Sequence, residues 1–163
     1  MKRVAVYPGS FDPMTNGHME ILRRALSVFD EVIILVAVSP TKKSLFSLGE
    51  RFAMIKEATK ELPGVSVDMT EGLSINYARE HDAIALVRGL RAATDFEYEF
   101  KMAAGNRFVD PKIDMVFFMS APAFTFLSSS TIKELFMHGT DISPLVPPAV
   151  AEALKKKLSE QKK

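Results

Sequence analysis

The chain has 163 residues, 47% of them hydrophobic and 25% charged, with no cysteine and a formal net charge of +1. That length fits one domain able to bury about two-thirds of its unfolded surface, so no metal or disulfide staple is required. The composition excludes disulfides, thiolate catalysis and cysteine–zinc sites, and the near-neutral charge argues against a broad nucleic-acid face and for a small anion held in a pocket.

After Met1, Lys2 and Arg3 comes an apolar run at 4–7, too short for a signal peptide, which reads as a strand. PGSFDPMTNGH, residues 8–18, follows it, and Met19, Ile21, Leu22, Ala25, Leu26 and Phe29 then recur at helical spacing. A strand, a turn rich in Gly, Pro, Asp and Asn, and a helix start place backbone N–H groups and the positive helix end against an anion. The turn delivers the Ser10 hydroxyl and the His18 imidazole to the same place. Further apolar runs at 32–38, 65–69, 84–87 and 115–119 read as strands, and helical patterns occupy roughly 18–29, 48–61, 73–81, 95–109, 129–138 and 149–160. The run at 32–38 is apolar without alternation, as a strand buried on both faces should be. The acids Asp95, Glu97 and Glu99 interleave with Phe96, Tyr98 and Phe100, and that stretch reads as an amphipathic helix with little claim to a metal. The Lys-rich end from 155 to 163 reads as a frayed, solvated helix terminus. No stretch approaches membrane-spanning length.

This alternation predicts an α/β fold, a doubly wound parallel sheet of five strands within a single domain, residues 1–163. In such sheets ligands bind beyond the carboxyl ends of the strands, where the strand order reverses. Ser10 and His18 follow the first run; Ser39, Lys42 and Lys43 the second; Arg88 and Arg91 of RGLR the fourth; and FTFLSSS, residues 124–130, the fifth. Hydroxyls, cations and an imidazole thus gather at one sheet edge, as a polyphosphate requires. Neither GxGxxG nor GxxxxGK[ST] occurs, which disfavours a dinucleotide or P-loop site. At a helix N-terminus the His18 imidazole should stay neutral and donate to a phosphoryl oxygen. An arginine fork suits bidentate phosphate contact, although Asp95, Glu97 or Glu99 could instead pair with Arg88 and Arg91. Thr131 and Glu134 have capping-box spacing, which would leave the serines at 128–130 to a ligand.

With these residues in view, the chain closely resembles the bacterial phosphopantetheine adenylyltransferase family. The likeness runs through YPGSFDPMTNGH, SPTKKSLFSLGER, VRGLRAATDFEYE and FLSSSTIKE in order and spacing, and TNGH is similar to the HxGH element of the wider nucleotidylyltransferase superfamily. The resemblance implies a Rossmann-like domain that transfers AMP from ATP to 4′-phosphopantetheine, Mg²⁺ entering with ATP, a homohexamer, feedback binding of coenzyme A in the same cleft, and a cytoplasmic location. Carried onto this chain, it implies that His18 and Arg91 stabilise charge on the α-phosphoryl group and that Lys42 bridges it to the acceptor phosphate. It places Arg88 and the Ser10 hydroxyl on that phosphate and Ser74 at the pantetheine arm. ATP would be held by Ser10, Phe11, His18, Gly89, Leu90, Arg91, Glu99 and the segment Phe124, Thr125, Phe126, Leu127, Ser128, Ser129 and Ser130. Many members carry threonine where this chain has Ser10; the hydroxyl is kept, but the β-branch that stiffens its rotamer is lost.

Two other readings stay open at this point. One is another small-molecule nucleotidylyltransferase, with a nicotinamide-nucleotide or glycerol-phosphate acceptor, from which the RGLR and SSS blocks point away. The other is a non-catalytic nucleotide-sensing module, which would have no need of both His18 and Lys42. A tRNA synthetase shares the turn logic but needs an anticodon domain and a basic excess that this chain lacks.

Overall fold

The structure, a computed structural model, describes residues 1–161. The central strand is β1 (Val4–Gly9), which pairs in parallel with β2 (Glu31–Ala37) on one side, Val6 opposite Ile33 and Gly9 opposite Val36. The third strand, β3 (Val65–Thr70), adds beyond β2. On the other side of β1 lies β4 (Ala85–Leu90), followed by the edge strand β5 (Asp114–Met119). The order β3-β2-β1-β4-β5 is wholly parallel and reverses between β1 and β4, so the crevice expected of a doubly wound sheet opens beyond those two strands.

All five apolar runs are strands, but β1 and β4 continue at least two residues past the carboxyl ends of their apolar stretches. Pro8 and Gly9 still belong to β1, and Arg88, Gly89 and Leu90 lie within β4, Arg88 opposite Phe117 and Gly89 opposite Phe118. A parallel ladder is made by the backbone and continues where the side chains turn polar. The RGLR block therefore begins inside a strand, and the rigid sheet itself aims Arg88.

The period-two pleat splits the core in two. On one face Ala5, Tyr7, Ile34, Val36, Ala85 and Val87 pack against α1 (Asn16–Leu26), α2 (Leu48–Thr59), α5 (Ser129–Met137) and α6 (Pro148–Gln161). On the other, Val6, Ile33, Leu35 and Leu86 meet Ile75 and Ala78 of the short helix α3 (Ser74–Glu80). Ser47 caps α2 in a reciprocal box with Glu50. The final helix runs through the Lys-rich stretch to Gln161; the last two residues of the expected frayed tail, 162 and 163, lie outside the described residues.

The long helix α4 (Ala93–Val109) departs from the amphipathic expectation. Glu99 is its one buried residue besides a few half-buried positions, and Phe96, Tyr98 and Phe100 are all exposed. Phe96 and Phe100, one turn apart, share a face with their ring centroids 5.9 Å apart, while Tyr98, turned about 200° from Phe96, stands on the wall of the cavity beyond the sheet. Asn106 Nδ2 reaches Met115 Sδ at 3.4 Å, which lays α4 along β5.

Candidate active site

The crevice beyond β1 and β4 encloses a cavity of about 290 Å³. Its floor is the end of β1 and the turn after it, where Ser10 and Phe11 stand on the wall. Phe11 takes a left-handed conformation, φ 46°, in which a bulky residue is uncommon, and its ring packs edge-on against Tyr7 at 5.3 Å and His18 at 5.1 Å between centroids. The Asp12–Pro13 peptide bond is cis.

Asp12, buried beneath the turn, accepts from the N–H groups of Leu45 at 2.8 Å and Phe46 at 2.9 Å, and from Lys133 Nζ at 3.3 Å. It therefore ties the turn both to the end of the loop at 38–44 and to α5. Arg51 of α2, 4% exposed, donates from NH1 to the Ser10 carbonyl at 2.7 Å. Asp12→Ala would strand two buried N–H groups and an ammonium, and is expected to cost about 3 kcal/mol in urea denaturation. A loss under about 0.5 kcal/mol would show that the turn holds without it.

His18 is set by the start of α1. Thr15 is the N-cap; its hydroxyl accepts from His18 N–H at 3.3 Å, while its own N–H donates to His18 Nδ1 at 2.9 Å. The imidazole fills the place that Glu or Gln holds in a capping box. Because Nδ1 accepts, the proton of a neutral ring sits on Nε2. Burial, and then the charges of Arg91 and Arg88, lower the His18 pKa to about 4, so the ring is neutral at pH 7 and can donate from Nε2. The sequence expectation of a neutral ring holds, and burial and the two arginines are the forces that make it so.

Both arginines line the cavity, and both are paired within the chain. Arg88 grips the buried Glu99 carboxylate with Nε at 3.0 and 3.1 Å and NH2 at 2.7 Å, and donates from NH1 to the Pro8 carbonyl at 2.9 Å. One N–H of each nitrogen points inward, and the second hydrogens of the two terminal nitrogens remain for a ligand. Arg91 pairs with Asp95 at 3.2 Å and donates from NH1 to the Leu127 carbonyl at 3.1 Å. Pairing with α4 and phosphate binding, posed above as alternatives, are thus compatible: Glu99 and Asp95 fix two forks that line the cavity and keep N–H groups without an internal partner among the described residues.

Two glycines permit the close approach of the walls. A Cβ on Gly89 would meet Ile21 Cγ1 at 3.1 Å, and one on Gly17 would lie 3.3 Å from Thr15 Oγ1 and 3.6 Å from Leu127 Cβ. That contact sets Phe124, Leu127, Ser128 and Ser129 against the start of α1, all on the cavity wall. Ser128, and not Thr131, caps α5: its hydroxyl accepts from Thr131 N–H at 3.0 Å. Thr131 fails as a cap because the helix has already begun at Ser129. Ser129 Oγ donates to the Pro13 carbonyl at 2.7 Å, so it has an internal partner too.

Of the expected residues, Ser10, Phe11, His18, Arg88, Gly89, Arg91, Glu99, Phe124, Leu127, Ser128 and Ser129 stand together around this cavity. Lys42 and Lys43 do not; both are exposed on the loop after β2. Ser74 begins α3, half-buried, off the cavity wall, and Leu90, Thr125, Phe126 and Ser130 also lie off it, the last three exposed. Sequence reasoning missed Asp12, Arg51 and Tyr7. An acid before a proline in a turn was a usable signal for Asp12; Arg51 sits in a helix beside Glu50 and looks like any solvated cation. Among the described residues no helix is long and apolar enough to cross a membrane.

The cytidylyltransferase-like family profile matches residues 6–135. A phosphopantetheine adenylyltransferase of Thermotoga neapolitana is 48% identical over 160 residues, covering 98% of this chain and 99% of that protein. The enzyme of the same name from Syntrophomonas wolfei is 49% identical over 156 residues, 96% and 97% of the two chains. Among solved structures, one from Vibrio parahaemolyticus assigned as a nicotinate-nucleotide adenylyltransferase superposes with a TM-score of 0.72 at 20% identity, over 96% of this chain and 93% of its own. A bifunctional NMN adenylyltransferase/ADP ribose pyrophosphatase from Francisella tularensis gives 0.68 at 17% identity; this chain spans 98% of its own length and half of that protein's. The last two likenesses carry the fold alone.

Proposed function

This chain belongs to the phosphopantetheine adenylyltransferase family, and on that premise we propose how its cavity transfers the adenylyl group of ATP to 4′-phosphopantetheine, releasing pyrophosphate and forming dephospho-CoA. The observation that carries the mechanism is the neutral His18, its Nε2–H set by the Thr15 N–H, beside Arg88 and Arg91 in one cavity. The acceptor is a phosphate dianion and is nucleophilic without a general base. One of its oxygens attacks the α-phosphorus of ATP, the bond from that phosphorus to the bridging oxygen breaks, and pyrophosphate leaves. No proton has to move. The protein's share is in-line positioning and donors aimed at charge that spreads over the α-phosphoryl oxygens. His18 and Arg91 serve that group, Arg88 and the Ser10 hydroxyl hold the acceptor phosphate, and Phe124, Leu127 and Ser128 stand where the nucleotide lies.

Mg²⁺ fits this site as a passenger on ATP. Among the described residues no three carboxylate or imidazole groups converge on a point, and the cavity acids Asp95 and Glu99 each hold an arginine. Bound to the triphosphate and water, the ion would neutralise charge on the leaving pyrophosphate.

Lys42 reaches the acceptor only if the loop after β2 folds over the cavity mouth. Lys42→Ala is expected to raise the KM for 4′-phosphopantetheine and lower kcat while the KM for ATP holds; an unchanged acceptor KM would remove Lys42 from the site. Self-assembly is supported by the exposed Phe96, Phe100, Phe108 and Met119 along α4 and the β5 edge, an apolar surface of the kind that marks protein contacts. We assign that face to a homohexamer, and coenzyme A, which shares the pantetheine arm, to competition in the same cleft. The reaction is tested by incubating the protein with Mg-ATP and 4′-phosphopantetheine and weighing the product. Dephospho-CoA is expected; turnover confined to nicotinate mononucleotide or glycerol phosphate would move the chain to a sister activity.

A further inference from the structure

Tyr7 is a group that the mechanism above does not use. It lies on β1, three residues before Ser10, with only 4% of its surface exposed, yet it contributes to the wall of the cavity. Its ring is fixed by the core around it and by edge-on contact with Phe11, and its centroid is 6.4 Å from that of His18. Among the described residues its hydroxyl has no hydrogen-bond partner, nor is that oxygen among the fully occluded ones left without a partner. The oxygen therefore keeps some free surface, and the cavity is the open space that Tyr7 lines. Buried phenols nearly always find a partner, so one that faces a ligand cavity unpaired is a donor awaiting a ligand acceptor.

We propose that the Tyr7 hydroxyl donates a hydrogen bond to a phosphoryl oxygen of the substrates in the cavity, beside His18 and Arg88. The inference rests on the reading of this cavity as a phosphoryl-transfer site. Burial pushes the phenol above its ordinary pKa, and the charged groups acting on it are Arg88, Arg91, Glu20 and Glu99. It thus remains O–H at any working pH and can only donate to an anionic oxygen, which suits a phosphoryl group and adds no charge to the site. Glu20 is a competing acceptor: its Oε2 is buried without a partner, but it acts on Tyr7 through charge and forms no hydrogen bond with it. Tyr7 would be a further donor that the fold holds rigid, set in a strand and not in a loop.

Tyr7→Phe removes the hydroxyl and keeps the ring. Steady-state kinetics with Mg-ATP and 4′-phosphopantetheine should show kcat lowered about 10- to 100-fold, the scale of a hydrogen bond to a charged group. Thermal unfolding of the unliganded protein should give a Tm equal to the wild type or higher, because no internal bond is lost and an unpaired polar atom is removed. A kcat within twofold of wild type overturns the proposal. So does a fall in Tm that accompanies the loss of activity, since it would show the hydroxyl holding the fold, through Glu20 or water. Wild-type protein assayed alongside separates the two claims: if it makes no dephospho-CoA, the reading of the reaction fails, whatever Tyr7 does.

Discussion

His18→Ala is expected to lower kcat by about 10²–10³-fold, the largest effect of any single substitution in the cavity, because it removes the neutral donor proposed for the reacting α-phosphoryl group. The KM for ATP should change much less, since the donor matters most where charge develops. Activity within twofold of wild type would exclude this role. The same ring predicts a pH signature. Its folded pKa of about 4 lies below the ordinary 6.5, so below pH 6.5 the unfolded chain takes up a proton that the folded chain refuses. Its contribution to stability is full above about 6.5 and is lost as pH falls towards 4. His18→Asn should remove that slope from the pH dependence of unfolding free energy. Because the acceptor phosphate itself titrates at about pH 6, the kcat profiles of wild type and His18→Asn should have the same shape between pH 6 and 8; a step near 6.5 present only in the wild type would mean that the ring is charged or freely solvated in the working enzyme.

The second large effect is one of stability and binding together. Arg88→Met leaves the Glu99 carboxylate buried without its partner, and leaves the Pro8 carbonyl without a donor. Losing one side of a buried ion pair costs about 3 kcal/mol or more, and the acceptor phosphate loses its fork as well. Urea denaturation should show the first loss and the acceptor KM the second. The double variant Arg88→Met, Glu99→Leu separates them: most of the stability should return, because no charge is left stranded, while turnover stays low. If stability does not return, the pair is held by more than its own charges. If turnover does, Arg88 is not an acceptor ligand.

How much of the fold and the site is legible in the sequence depends on how far along the chain each interaction reaches. The parallel sheet is legible because each apolar run lies between helical patterns, and the helix start at TNGH is legible because Thr15 and His18 cap within three residues. Backbone pairing is less local. Arg88 continues β4 because Phe117 of β5 runs beside it, and no apolar count along the chain could show that. The fork between Arg88 and Glu99 depends on how α4 crosses the sheet, so the sequence could offer ion pairing and phosphate binding only as alternatives. Arg51 was invisible for the same reason: its partner, the Ser10 carbonyl, lies 41 residues away in the chain. The acids and aromatics of α4 have the pattern of an amphipathic helix, but Phe96, Tyr98 and Phe100 are all exposed and the buried residue is Glu99, which only the crossing of α4 over the sheet decides. Lys42 marks a further limit: its loop is polar and exposed, and nothing in its own spacing brings it to the cavity wall.

The proposed reaction stands or falls on direct attack of the acceptor phosphate on the α-phosphorus in this cavity. It is tested most directly with 4′-phosphopantetheine carrying ¹⁸O in its phosphate, Mg-ATP, and mass analysis of both products. Pyrophosphate should appear only when the acceptor is present and should carry no label, while dephospho-CoA retains all of it. Pyrophosphate released without acceptor, an adenylylated protein, or label in the pyrophosphate would contradict the account.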